Sequence, residues 1–387
     1  MSLTTELEKH LGRRQQHGNM RQLYKSNELI DFASNDYLGL SRSPLLTSAV
    51  LKELEQLPRI SLNGFGSTGS RLLTGNSAYA EELEEEIARY HGFKAGLLFN
   101  CGYMANLGLL SALAGSLDLI IYDSCIHASM HDGIRLSRAQ ACAFRHHDVA
   151  HLEQHLEMPC KGKRFVCIQS IYSIDGSQAP LEAVCNLCMK YGAHLILDEA
   201  HAVGLFGPRG AGMAAEKNLI KHVFAQVVTF GKALGCCGAI VLGSESLRRY
   251  LINFARPFIY TTALPLHALA AVKCAYKLLP TLENERIRLR ELSDLFQKSP
   301  HDFASHIQAV KIRGNAVARV QSQLLAQAGF DVRPLMHPTV PRGEECLRIC
   351  LHAFNTMSEV KNLIDHCKGE RLPLSVRSVG SVVAKEP

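Results

Sequence analysis

Between about residue 95 and residue 256 the chain alternates short apolar runs with stretches of helical length and periodicity, and this alternation restricts the possible folds more than any other feature. The runs are Leu97-Leu98-Phe99, residues 119–122, 165–168 and 194–197, Val227-Val228, and residues 239–242. Runs this short and this apolar suit strands covered on both faces, and the intervening helices supply the crossovers that parallel strands require. The expected fold class is α/β, a mostly parallel central sheet flanked by helices, with functional residues at the carboxyl ends of the strands. From about residue 266 the pattern changes. A long helical region leads into strand-like residues 309–312, a helical stretch over 316–328, strand-like Asp331-Val332-Arg333 and 347–351, and a last helix near 357–367. That order reads as a smaller α+β C-terminal domain. Residues 1–40 hold a basic, polar helix and read as an arm, leaving 41–265 as the large domain and 266–387 as the C-terminal one.

At 387 residues, 47% of them hydrophobic, the chain is long enough for two such domains, or for one large domain with appended segments. Its 13 cysteines are an odd number scattered through apolar runs, with no long apolar span or signal-like segment before them. The expectation is reduced thiols in the cytoplasm, without a membrane partner. Cys185 and Cys188 form a C-x-x-C, but they sit in a predicted amphipathic helix with no second ligand pair at zinc-type spacing, so no metal is expected there. The net charge of +6 is spread along the chain without a basic run, which speaks against nucleic acid as a partner. The same balance suits an anionic substrate or an acidic carrier.

Two strand ends carry chemistry. The run over 194–197 ends in Asp198-Glu199-Ala200-His201, and Val227-Val228 ends in Thr229-Phe230-Gly231-Lys232-Ala233-Leu234-Gly235. A lysine between small and apolar residues can present a neutral amine to an aldehyde, and an acid one strand away can hold a pyridinium nitrogen protonated. Pyridoxal phosphate (PLP) asks for that pair. Taken singly, Lys232 reads as a surface lysine in a turn and Asp198 as a helix cap; the two on consecutive strands reverse the reading. Asp198-Glu199-Ala200-His201 also spells a helicase box, but that machinery needs a G-x-x-x-x-G-K-[ST] loop for nucleotide phosphates. Neither Gly162-Lys163 nor Gly231-Lys232 is followed by Ser or Thr. Cys101-Gly102-Tyr103 follows one strand and opens a helix, so its amides could hold a phosphate, with a plain tight turn as the alternative.

These motifs belong to a longer ordered series: Ser34-Asn35-Asp36-Tyr37-Leu38-Gly39-Leu40, Gly69-Ser70-Arg71-Leu72-Leu73-Thr74-Gly75-Asn76, Asn100-Cys101-Gly102-Tyr103-Met104-Ala105-Asn106, Asp123-Ser124-Cys125-Ile126-His127-Ala128-Ser129 and Ile171-Tyr172-Ser173-Ile174-Asp175-Gly176. Tyr260-Thr261-Thr262-Ala263-Leu264-Pro265, Pro338-Thr339-Val340-Pro341-Arg342-Gly343 and Leu347-Arg348-Ile349 complete it. Over nearly its whole length the chain resembles the PLP-dependent α-oxoamine synthases. The resemblance implies a PLP-dependent transferase of fold type I that condenses an amino acid with an acyl-CoA or acyl-carrier protein and releases carbon dioxide. It assigns Lys232 to the cofactor aldehyde and to the substrate's α-proton, Asp198 to the ring nitrogen and His127 to stacking on the ring. His201 and Ser173 would approach the phenolic oxygen; Cys101, Gly102, Tyr103 and Thr229 would approach the phosphate. Thr261 and Thr262 match residues that complete the phosphate site across a subunit boundary, which implies a homodimer with a shared active site. Arg348, assisted by Asn35, would take the amino-acid carboxylate, and Arg21 the acyl substrate.

Within the family the Lys232 motif leans towards the branch that condenses L-alanine with a pimeloyl thioester for biotin. Residues 341–345 lean towards relatives that use glycine, and Gln169 stands where relatives usually carry glutamate.

Overall fold

The structure is a computed structural model that describes residues 2–23, 28–57, 66–296 and 305–367. The chain divides into two compact units, one of Asp36–Ser173 with Ser177–Arg286, the other of Met1–Asn35, Ile174–Gly176 and Ile287–Pro387.

The larger unit is built on seven strands: β1 (Ala95–Phe99), β2 (Leu119–Asp123), β3 (Gln140–Phe144), β4 (Arg164–Gln169), β5 (His194–Asp198), β6 (Val223–Thr229) and β7 (Ala239–Gly243). They pair in the order β1-β7-β6-β5-β4-β2-β3. Only β7 runs against its neighbours β1 and β6, while β2, β3, β4, β5 and β6 pair in parallel. Since β1 and β6 are both antiparallel to β7, six strands point the same way. Their carboxyl ends bring the Cys101, His127, Asp198 and Lys232 motifs to one edge of the sheet.

Alternation along these strands divides the core in two. Ile120, Phe165, Cys167, Ile196, Val227 and Val241 pack on one face with Leu109, Leu110, Met130 and Leu251 of the helices Gly102–Leu113, Ala128–Leu136 and Glu245–Phe254. Leu119, Ile121, Val166, Ile168, Leu195 and Leu197 pack on the other with Leu152, Val184, Cys185 and Cys188 of the helices Val149–Leu156 and Leu181–Tyr191. Successive side chains therefore enter different cores, which is why the strands read as unbroken apolar runs. Cys185 and Cys188 are among the buried packing residues, as small hydrophobes.

Strand β3 had no apolar signature in the sequence. It is an edge strand, and of its residues only Phe144 is buried.

The smaller unit carries β8 (Ile307–Lys311), β9 (Arg333–Leu335) and β10 (Cys346–Cys350), antiparallel in the order β9-β10-β8, with the helices Asn315–Gln327 and Met357–Cys367. The expected strand over 331–333 is interrupted at buried Val332. Before it, Phe330–Asp331 pairs in parallel with Ile30–Asp31; after it, the chain changes partner and joins β10. Among the described residues no helix is long and apolar enough to cross a membrane.

Candidate active site

Lys232 lies in the turn between β6 and β7, beyond the last residue of β6, Thr229. Its Nζ is 2.7 Å from His201 Nε2, and His201 Nδ1 is 2.7 Å from Tyr37 Oη. A charged lysine can only donate, so in that state the imidazole accepts on Nε2 and donates from Nδ1 to the tyrosine oxygen. The turn is tight because the left-handed Gly235 packs against the backbone of Leu40 and Ser41, where a Cβ would collide. His201 therefore sits between the lysine and the segment that carries Tyr37, whose part in the site its sequence does not reveal.

Asp198 ends β5, 3% exposed, between Gln169 of β4 and Val227 of β6 in the ladder. Its Oδ1 accepts from the Ala200 amide at 2.9 Å and its Oδ2 from Asn106 Nδ2 at 2.8 Å. Asn106 also reaches Ser129 Oγ at 3.0 Å, and Ser129 Oγ lies 2.7 Å from His127 Nδ1. His127 is the N-cap of the helix Ala128–Leu136, accepting on Nδ1 from the Ser129 amide. With Nδ1 used as an acceptor, the neutral ring carries its proton on Nε2. Burial holds the His127 pKa below its usual value, against the charge of Asp198 and together with the charge of Lys232. A neutral flat ring is thereby kept close to both.

Asn106 and Ser129, like Tyr37, stand in the sequence only as members of the ordered motifs. Their function is positional, and nothing in their residue types announced it.

The neighbouring Glu199 is also buried but does different work. Its carboxylate accepts from the Met213 and Ala214 amides at 2.8 Å each, and burial pushes its pKa up to about 7. It anchors the following helix rather than facing Lys232.

Cys101 is the N-cap of Gly102–Leu113 and makes no side-chain cap bond, whereas Ser43, Ser77, Asp148 and Ser244 each cap their own helices. The first amides of that helix stay available to an anion, with the helix dipole behind them. A Cβ on Gly102 would lie 3.3 Å from Thr229 Cβ and Oγ1, so the glycine lets the turn and Thr229 close on one another. Tyr103 donates to Asp132, and its ring stands edge-on to His127 with centroids 6.5 Å apart. Thr262 adjoins the same turn, its carbonyl accepting from Asn100 Nδ2 at 2.8 Å. Ser70 pairs with Thr262, and the Ala263 amide donates to Gly69, which ties residues 261–263 to the 69–76 loop. Ser173 ends the larger unit's segment that leaves β4.

The smaller unit holds the other expected residues. Arg348 on β10 donates from Nη2 to Asn35 Oδ1 at 3.0 Å, with Nη1 2.9 Å from Cys350 Sγ, so the guanidinium is tethered within its own unit. Arg21 reaches Thr339 Oγ1 at 3.4 Å.

An amine, an acid held by two donors, a neutral ring and an uncapped helix start, all on one sheet edge, are a donor set that fits PLP. The model for aminotransferase class I and II matches residues 27–366. An 8-amino-7-oxononanoate synthase from Emericella nidulans is 42% identical over 87% of this chain and 88% of its own length. Two solved structures extend the likeness. A serine palmitoyltransferase from S. paucimobilis with a bound PLP–myriocin adduct superposes with a TM-score of 0.85 at 26% identity, covering 99% of this chain and all of that one. An 8-amino-7-oxononanoate synthase from Francisella tularensis gives 0.75 at 29% identity, over 89% of this chain and 98% of its own. The chain is thus a PLP-dependent enzyme that belongs to the class I and II aminotransferase family and, within it, to the 8-amino-7-oxononanoate synthases.

Proposed function

We propose that the protein condenses L-alanine with a pimeloyl thioester, on coenzyme A or a carrier protein, to give 8-amino-7-oxononanoate with loss of carbon dioxide and the free thiol. The observation that carries this reading is the 2.7 Å approach of Lys232 to His201 beside the doubly held Asp198, in a chain 42% identical to a synthase of that name.

Bound at this edge, PLP supplies a sink for the electron pair left on the α-carbon of the amino acid. The protein's residues do the rest. Lys232 Nζ would be the amine that holds the cofactor aldehyde and, as the free amine, the base that takes the α-proton of the amino acid. His201, turned by Tyr37, receives or returns a proton at that nitrogen through Nε2. Asp198 keeps the ring nitrogen protonated, its two oxygens fixed by Ala200 and Asn106. His127 offers a flat face, and Ser173 a hydroxyl for the phenolic oxygen. Cys101, Gly102, Tyr103 and Thr229 form the phosphate cradle. Arg348 takes the substrate carboxylate in a two-point grip, which orients the bond to be broken, with Asn35 holding the guanidinium. Arg21 is assigned to the acyl substrate.

The protein is also read as a homodimer in which Thr261 and Thr262 complete the partner's phosphate site. Leu73 and Tyr260, 80% and 72% exposed on either side of the Ser70–Thr262 pairing, support this as an apolar surface in need of cover.

Purified enzyme incubated separately with alanine, glycine or serine and a panel of acyl thioesters, with products identified by mass, tests the assignment. The expected product is 8-amino-7-oxononanoate from alanine and pimeloyl thioester. A preference for glycine or serine would move the protein to a sister activity.

A further inference from the structure

Beside the lysine–aspartate site a second group of donors converges on the same sheet edge. Asp123 ends β2, Cys125 lies two residues on in the turn, and His146 follows the last residue of β3. The parallel pairing of Asp123 with Phe144 brings His146 alongside, although 23 residues separate it from the acid. One carboxylate oxygen, the Cys125 sulfur and a ring nitrogen of His146 all lie within 4.8 Å of one another.

The three donors form a mixed set. Thiolate, imidazole and carboxylate together are what zinc-type divalent ions take as protein ligands, and three of them leave a fourth position for water. Asp123 is buried, His146 half-buried and Cys125 exposed, so an ion has a path in from the cysteine side. The surroundings orient the ligands as second partners do in metal sites. Outside the set, His146 Nε2 is 3.1 Å from Ser177 Oγ; within it, His146 Nδ1 is 2.8 Å from Asp123 Oδ1, the ion pair whose place the metal would take. The Tyr172 ring stands edge-on to it with centroids 4.4 Å apart. Asp123 is held by the Cys125 amide at 2.8 Å and the His147 amide at 3.1 Å.

We propose that Asp123, Cys125 and His146 bind one zinc-type divalent cation, and that the bound ion stiffens the 123–127 turn that presents His127. Binding exchanges protons for the metal: the thiol proton of Cys125 leaves, and the ion replaces the proton shared between His146 and Asp123. The site is distinct from Cys185 and Cys188, which are buried in a core.

Holoenzyme freed of adventitious metal by a chelator and then titrated with Co²⁺ tests this, because cobalt–thiolate complexes absorb in the visible. The expected result is saturable binding of one Co²⁺ per chain, displaced by Zn²⁺. Cys125→Ser and His146→Gln should each weaken it by at least about 10²-fold, while Cys237→Ser, at another exposed cysteine, should leave it unchanged. Retained PLP absorbance in each variant shows that its fold persists. Wild-type protein without saturable Co²⁺ binding, or binding that survives in both ligand variants, overturns the site. Amide hydrogen exchange reads the second half of the proposal. The amides of residues 124–127 should slow with Zn²⁺ in wild type and not in Cys125→Ser; equal exchange with and without Zn²⁺ in wild type would overturn the stiffening.

Discussion

Asn106 Nδ2 donates to Asp198 Oδ2 at 2.8 Å while reaching Ser129 Oγ at 3.0 Å. One amide thus joins the acid of β5 to the serine that holds His127. The assignment of its nitrogen is settled by charge, since the flipped amide would set an oxygen against a carboxylate.

Asn106→Leu keeps the volume and removes both bonds, leaving a buried carboxylate oxygen without its donor at a cost of about 1–3 kcal/mol. Cofactor affinity should fall by about tenfold, with a loss of turnover smaller than that of Asp198→Ala. The aspartate variant should lose at least about 10²-fold even when saturated with cofactor. Equilibrium PLP binding and steady-state rates check both. Unchanged binding and turnover in Asn106→Leu would remove the residue from the site.

Borohydride reduction of the purified, yellow enzyme should fix the cofactor on a single lysine. Peptide mapping is expected to find it on Lys232, whose Nζ is 2.7 Å from His201. A label on any other lysine would displace the whole arrangement.

Arg348→Ala should weaken the binding of L-alanine and slow loss of its α-proton, while PLP occupancy barely changes, because Lys232, Asp198 and the Cys101 turn remain. Arg348→Lys should rescue little, since a point charge cannot make the two-point contact. Titrating alanine while following the cofactor spectrum decides it: wild-type affinity in the alanine variant would assign the carboxylate to another residue.

A pH effect follows from the buried His91. Its Nδ1–H donates to the Ala211 carbonyl at 3.0 Å, which leaves Nε2 to accept from Tyr276 Oη at 2.9 Å. Burial pushes its pKa down from 6.5 to about 4, against the bond to Ala211. The folded value lies below the unfolded one, so the stability this neutral ring contributes is fully present above about pH 6.5 and is lost as pH falls towards about 4. The change across that window is on the order of 3 kcal/mol. His91→Gln should therefore have a lower Tm at neutral pH but lose less of it on acidification than wild type. Parallel Tm-versus-pH curves for the two proteins would show that His91 does not titrate this way.

What could be read from the sequence was what depends on local pattern. The apolar runs marked β1, β2, β4, β5, β6 and β7 because each strand is covered on both faces, and the helix Leu181–Tyr191 lies where its periodicity put it. Strand β3 escaped because only Phe144 of its residues is buried, so it carries no apolar stripe, whereas β1 at the opposite edge is buried throughout. Glu84, in the acidic stretch at 81–86, is buried, its carboxylate bonded to Arg71 at 2.7 Å, to Arg248 at 3.2 Å and to the Leu98 amide at 2.8 Å. Its partners lie 13 to 164 residues away, beyond the reach of any periodicity. Lys232 and Asp198 stood out because their residue types carry the chemistry. Asn106, Ser129 and Tyr37 did not, because what they contribute is direction, which exists only once the chain has folded.

Asp198 is laced into the ladder from both sides, by Gln169 of β4 and Val227 of β6. A residue in that position moves only when the middle of the sheet opens, which is among the rarest excursions a folded domain makes. The carboxylate proposed to hold the ring nitrogen is therefore already in place before any cofactor arrives. Enzyme stripped of PLP should be a preformed receptor, reloading at a rate that rises in proportion to PLP concentration instead of levelling off at a slow unimolecular limit.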